Sequence, residues 1–136
     1  QAGEKRALLE EIKAKLEAIR DPKDGAQVVL TADIAEDVYN GPRIPEAPDI
    51  QVGFNYGYGN SDAASTGRVP NKVLEDNLGG TFNGNHLMAS EVVQGTLLTN
   101  APVQEGAHSL KDLTVEILKQ YGITPAVDQT GHPVLR

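Results

Sequence analysis

Two helical patterns stand near the ends of this chain, and the long middle between them is repeatedly broken by proline and glycine. No other feature limits the fold as much, because it confines regular structure to short, separated segments. From Lys5 to Arg20, Leu8, Leu9, Ile12, Leu16 and Ile19 recur at helical spacing, and Glu11 and Lys15 form a favourable i,i+4 pair. The run Asp21-Pro22-Lys23-Asp24-Gly25 supplies the turn chemistry that stops this helix. The second pattern runs from Ser109 to Tyr121. Ser109 and Asp112 have the spacing of a capping box, Leu110, Leu113, Ile117, Leu118 and Tyr121 line one face, and Gly122 and Pro125 mark the end.

Between the helices, Gln27 to Thr31 is a short β-branched run that predicts a strand. Ile50, Val52 and Phe54 alternate with Gln51 and Gly53, the period of a strand with one buried face. Val92 to Thr99 reads as a further strand. Pro42, Pro45 and Pro48 each remove a backbone N–H, so Tyr39 to Pro48 is expected to be an irregular connection. Gly57 to Gly67, rich in Gly, Ser, Asn and Ala, predicts a long mobile loop of the kind that often carries function.

Composition narrows the classes. A chain of 136 residues with 39% apolar and 23% charged residues fits one ordinary globular domain or part of a larger one. With two Phe, four Tyr and no Trp, aliphatic side chains must supply most of the core. The net charge of −7, from 12 basic and 19 acidic residues, argues against a nucleic-acid-binding surface and against docking on anionic membranes. No apolar run approaches the roughly 20 residues of a membrane span. Absence of cysteine excludes disulfides, thiolate metal sites and cysteine nucleophiles, and leaves the cellular compartment open. The chain starts at Gln1 and its sole methionine is Met88, so it is expected to be a processed or excised piece.

Three histidines are candidates for chemistry. His108 precedes a helix cap and His132 sits in a Gly-His-Pro turn, and both are expected to be solvated. His86 follows the turn-forming Asn83-Gly84-Asn85 and precedes a β-rich run. Spacing leaves two readings of it: a structural loop imidazole, or a side chain presented at a strand edge, where α/β proteins gather their sites. No H-E-x-x-H pattern and no second histidine at helical or hairpin spacing accompany it, and Glu91 is expected on a separate element. Gly57-Tyr58-Gly59 lacks the third glycine of a dinucleotide fingerprint, and no phosphate-binding P-loop or G-x-S-x-G is present. Arg43 and Arg68 lie in loops, either as solvated charge or as contacts to an anion.

Several segments in order resemble a known family. They are Val69-Pro70-Asn71-Lys72-Val73-Leu74-Glu75-Asp76-Asn77, then Gly84-Asn85-His86-Leu87-Met88, then Gly95 through Pro102, and the Ser109 to Ile123 helix with its Gly-Ile end. Together with Tyr39-x-Gly41-Pro42 and Ala47-Pro48-Asp49-Ile50 upstream, they are similar to the C-terminal part of alkaline-phosphatase-superfamily enzymes. The type I phosphodiesterase/nucleotide pyrophosphatase branch is the nearest pattern. The resemblance implies an α/β fold, here a partial three-layer αβα unit with two main helices and a few strands. It implies that residues 1–136 are the C-terminal portion of a larger catalytic domain.

The same resemblance implies a metal-dependent phosphohydrolase that cleaves phosphate esters, phosphodiesters or nucleotides among them. A binuclear site, usually zinc, grips the phosphate, and a Ser or Thr nucleophile forms a covalent phospho-enzyme that water then clears. His86 matches the histidine of the family's G-x-H segment, a metal ligand. The nucleophile and the remaining ligands belong to upstream segments without counterparts here. This chain alone is therefore expected to hold no catalytic residue, to be inactive, and to bind no metal by itself. Arg68 and the Gly57–Gly67 loop are expected to border the substrate cleft. Sulfatases and phosphate-transferring mutases share the same histidine logic. From a different class, the chain can be a non-catalytic interaction module that self-associates through an uncovered surface.

Overall fold

The computed structural model describes residues 2–79, 84, 86–106 and 108–136. They have mixed α/β structure: helix α1 (Ala2–Glu17), strand β1 (Val29–Ile34), a single helical turn α2 (Ala35–Val38), strand β2 (Ile50–Phe54), a second single turn α3 (Asp62–Ser65) and helix α4 (Leu110–Gln120). The chain divides into two compact units, Gln1–Gln94 and Gly95–Arg136. Among the described residues no helix is long and apolar enough to cross a membrane.

In the first unit, α1 ends at Glu17, slightly before the expected Arg20, and the turn that follows is held by Asp21. The Asp21 carboxylate accepts the Lys23 N–H at 2.8 Å, and the Asp21 carbonyl accepts the Gly25 N–H at 2.8 Å. The chain then returns as β1 and pairs antiparallel with β2 in the register Ala32↔Val52 and Ile34↔Ile50. Period two decides which side chains go inward. Val28, Val29 and Ala32 are buried, with Leu16, Ile19, Ile50, Val52, Phe54, Tyr58 and Leu74 packed around them. Both expected strands in this unit form, with the first displaced toward the C-terminus.

The face that α1 presents to β1 mixes part of its aliphatic stripe with charged side chains. Leu9 is buried, yet Leu8 is 55% exposed, and the half-buried positions one turn on include Lys13 and Glu17. These two pair with each other at 3.0 Å. Lys13 Nζ also donates to the Ala32 carbonyl at 2.9 Å, and the Ala32 N–H donates to Glu17 Oε1 at 3.0 Å. Ala32 is 0% exposed, so both of its main-chain groups need partners, and one i,i+4 ion pair supplies them. The Lys13 and Ala32 contacts together hold the Glu17 carboxyl below its usual range.

The second unit is built on α4. Its capping box is present: Asp112 Oδ2 accepts the Ser109 N–H at 2.6 Å and the Ser109 hydroxyl at 2.9 Å. At the other end the Ile123 N–H reaches the Leu118 carbonyl at 2.9 Å and the Gly122 N–H reaches the Lys119 carbonyl at 3.0 Å, the paired bonds of a Schellman stop. The apolar positions read from the sequence are largely outside, Leu110 at 84% and Tyr121 at 79% exposure. The buried face carries Asp112, Val115 and Glu116. Glu116 Oε2 accepts the N–H groups of Val134 and Leu135 at 2.9 and 3.0 Å, and Asp112 Oδ1 accepts that of His132 at 2.8 Å. A strap of extended chain thereby lies along α4, and Gly131 lets it approach, since a Cβ there would stand 2.2 Å from the Lys111 carbonyl oxygen. The strap also exchanges main-chain bonds with residues 102–104: Gln104 donates to Val134 and Arg136 donates to Pro102.

The strand expected over Val92 to Thr99 does not form. Ser90–Val92 is a 3-10 turn, the residues after it are irregular, and the boundary between the two units falls inside this stretch. Gly57 to Gly67 is not wholly irregular, because Ser61 caps α3 within it by accepting the Ala63 N–H. Asn83 and Asn85, expected to make the turn before His86, lie outside the described residues.

The strap is predicted to loosen in acid. Backbone donation from His132, then the N–H and hydroxyl of Ser109, depress the Asp112 carboxyl from its ordinary 3.8 to about 2. Gln120, then the Leu135 and Val134 N–H groups, lower Glu116 as well. A carboxyl depressed by folding contributes stability above its unfolded pKa, and that contribution is lost as pH falls through the folded value. The amide resonances of His132, Val134 and Leu135 are therefore expected to stay native at neutral pH and to shift toward unfolded positions between about pH 4 and pH 2. Resonances that remain native throughout that window would contradict the carboxylate clamp.

Candidate functional site

The sheet has two unlike faces because β1 and β2 alternate in register. Ala32, Ile34, Ile50 and Val52 occupy one, while Thr31, Asp33, Gln51 and Gly53 occupy the other, with Thr31 opposite Gly53 and Asp33 opposite Gln51. The first face is aliphatic and the second polar. What covers the polar face is the segment immediately after His86. Phe54 donates its N–H to the Leu87 carbonyl at 3.0 Å and accepts the Ala89 N–H at 2.9 Å, a parallel bridge centred on Met88. Ala89 is 2% exposed and lies directly over Gly53. A Cβ on Gly53 would stand 2.5 Å from Thr31 Oγ1 and 2.9 Å from the Ala89 Cα. Only glycine at that position lets residues 87–89 seat against the sheet.

That seating places His86 at the mouth of a cleft of about 230 Å³, whose polar lining is Thr31, Asp33, Gln51, His86 and Ser90. His86 is exposed and Asp33 is half-buried. Among the described residues, no hydrogen bond or ion pair satisfies the Asp33 carboxylate. The site thus gathers an imidazole, one unpaired carboxylate, two hydroxyls and a side-chain amide. No group of three or more His, Cys, Asp or Glu capable of holding a metal converges among the described residues. An imidazole and a carboxylate on one cleft suit part of a divalent cation's shell, which takes nitrogen and oxygen donors and is completed by further oxygen ligands.

The other residues singled out from the sequence are placed elsewhere. Arg68 is exposed after α3, its N–H bonded to the Ala63 carbonyl, and neither it nor residues 57–67 line this cleft. Arg43 pairs with Glu46 at 2.9 Å. His108 Nε2 lies 2.9 Å from the Gln104 carbonyl oxygen, and His132 serves the strap through its main chain. Glu91 is in the turn next to Ser90 but does not line the cleft. Asp33, Thr31 and Gln51 are the residues that sequence reading missed. Their signal was the polar half of the strand alternation, Thr31-x-Asp33 and Gln51-x-Gly53, which reads as ordinary solvent-facing polarity until something covers that face. A second cleft, about 180 Å³, is lined by Lys5, Leu9, Ile34, Glu36 and Asp49. Its charges answer one another, with Lys5 at 2.7 Å from Asp49 and 3.9 Å from Glu36.

Comparison with family models, curated proteins and solved structures finds no match to this chain.

Gly53→Ala is predicted to destabilise the first unit by about 1–3 kcal/mol, the usual cost of forcing atoms into a filled space. Urea unfolding measures this. The amide shifts of residues 87–89 should move in the same variant, and a neutral effect on both would refute the close packing of Ala89 on Gly53.

Proposed function

We propose that this chain supplies the His86 side of a metal-dependent phosphohydrolase site that cleaves phosphate esters, with phosphodiesters or nucleotides as substrates. The observation that carries this reading is the position of His86, at the mouth of a polar cleft it shares with Asp33 and in a segment docked on β2. The ordered resemblance of nearly the whole chain to the phosphodiesterase/nucleotide pyrophosphatase branch supports the same reading. In it, the two-stranded sheet is part of a larger three-layer αβα sheet of alkaline-phosphatase type, and the Ser or Thr nucleophile lies outside these residues. Two divalent ions, zinc in the family pattern, would supply charge neutralisation at the phosphoryl group and activation of the attacking oxygen.

This chain's own part is binding and orientation. His86 offers a ring nitrogen whose reach is set by the main-chain bonds of Leu87 and Ala89 to Phe54. Thr31 and Ser90 offer hydroxyls, and Gln51 an amide, to ester oxygens. Arg68 and the loop before it would approach substrate from outside this cleft.

His86→Ala in the enzyme that carries both this segment and the nucleophile is predicted to lower kcat on bis-p-nitrophenyl phosphate by on the order of 100-fold or more. A metal contributes several kcal/mol at the phosphoryl group, and each 1.36 kcal/mol is tenfold. Zinc occupancy should fall in parallel. Unchanged turnover and occupancy would remove His86 from the site. Comparing this diester with the mono-ester and with p-nitrophenyl sulfate separates a diesterase from the mutase- and sulfatase-like alternatives.

A second reading, a non-catalytic interaction module, rests on the apolar side chains left outside in the second unit. Leu110, Ile117, Tyr121 and Val127 are all more than half exposed, which favours association. Concentration-dependent sedimentation, with no metal and no hydrolysis, would favour that reading over the first.

A further inference from the structure

We propose that the strap of residues 131–136 is exchangeable: the groove on α4 that holds it also takes the same strap from a second copy of the chain. Two copies then join by swapping this segment. The inference stands apart from the phosphohydrolase reading of His86. It rests on the association reading, to which it gives a partner and a contact.

Four observations lead to it. First, the groove is built for an extended peptide, and its occupant shows which one. Val134 is 0% exposed, and Glu116 Oε2 accepts two consecutive N–H groups of the strap, those of Val134 and Leu135. Asp112 Oδ1 accepts a third, from His132. On the opposite side Val103 bridges antiparallel to Leu135, and the Gln104 side-chain amide donates to the Leu135 carbonyl at 3.0 Å. Recognition is thus largely of main-chain groups plus one buried aliphatic side chain, the logic of strand addition, and a second copy presents the same groups.

Second, the link between α4 and the strap is not anchored by burial. From Tyr121 to Thr130 every residue except Pro125 is exposed, and the bonds between Ala126 and Gln129 close within the link itself. It can be re-aimed at little cost. Third, the second unit is only Gly95–Arg136, close to the roughly 40 residues below which a fold usually needs a disulfide, a metal or a partner copy. The chain has no cysteine, so pairing is the available staple. Fourth, Tyr121, Ile123 and Val127, at and beyond the end of α4, are each more than half exposed. Exchange brings two links together, where these side chains cover one another. The strap contacts are the same within one copy or between two, so this new contact is what favours the pair.

The test uses this chain with cysteines placed at the bridge. Val103 and Leu135 lie between the Gln104-to-Val134 and Arg136-to-Pro102 main-chain bonds, a non-hydrogen-bonded pair at a spacing that a disulfide spans. Chains carrying Val103→Cys and chains carrying Leu135→Cys are unfolded together in urea, refolded at high concentration and oxidised. The mixed disulfide is expected in about 10-fold or greater excess over either homodisulfide, because exchange alone holds the two thiols together. The double variant should cross-link between chains at high concentration and within one chain at low concentration, as mass action requires. Gly131→Ala should abolish the dimer, since its Cβ meets the Lys111 carbonyl whichever copy supplies the strap. Native amide shifts in α1 and β1 would show that the rest of that variant folds. If the double variant closes only within single chains at every concentration, or the mixed disulfide shows no excess, the inference is wrong. A wild-type dimer that survives Gly131→Ala also overturns it, but leaves association through the exposed apolar side chains standing. None of these outcomes bears on His86, whose test is turnover and metal occupancy.

Discussion

The register between β1 and β2 is the constraint from which the rest of the first unit follows. With Ala32 opposite Val52 and Ile34 opposite Ile50, these aliphatic residues fall on one face, and Thr31, Asp33 and Gln51 fall on the other. A shift of one residue would exchange the faces, exposing Ile34 and burying Asp33. Because the aliphatic face is taken up by α1 and its surroundings, the polar face is the side on which the 87–89 segment and His86 are found. Gly53 converts that topology into close contact, since any side chain there would hold Ala89 away.

A second theme is the use of carboxylates as caps for the main chain. The chain carries 19 acidic residues, and several of them face inward. Glu17 receives the N–H of Ala32, Asp112 those of Ser109 and His132, and Glu116 those of Val134 and Leu135. In both long helices the inward charged positions are four apart, Lys13 with Glu17 and Asp112 with Glu116. A fixed negative or paired charge is a strong acceptor for a buried N–H, and unpaired buried main-chain groups are costly. The helices therefore meet extended chain with polar side chains and leave part of their aliphatic stripe outside.

This explains how much was readable beforehand. Both long helices, the capping box at Ser109, the stop at Gly122 and the strand at 50–54 were visible, because propensity and turn chemistry act within a few residues. The inward faces of α1 and α4 were legible only in part. Periodicity selects Leu9, Leu16 and Ile19, which pack inward, but also Leu8 and Ile117, which are outside, and it cannot anticipate that Lys13 and Glu116 find main-chain partners more than a dozen residues away. The run from Val92 to Thr99 failed for a related reason: β-rich composition needs a neighbouring strand to pair with, and none is supplied to it among the described residues. At the cleft, His86 stood out in the sequence as an imidazole between a turn and a β-rich run, whereas Asp33 falls just beyond the strand expected over Gln27 to Thr31.

The sequence by itself determined the local elements, the acidic balance, the absence of thiol chemistry and the identity of the one histidine worth examining. Each follows from side-chain chemistry or from bonds that close within a single turn. Tertiary structure decided which face of each element lies inward, which carboxylates accept main-chain donors, and that Asp33 shares a cleft with His86. Those outcomes depend on pairings across tens of residues, where a strand register and one missing Cβ at Gly53 settle what local preference leaves open.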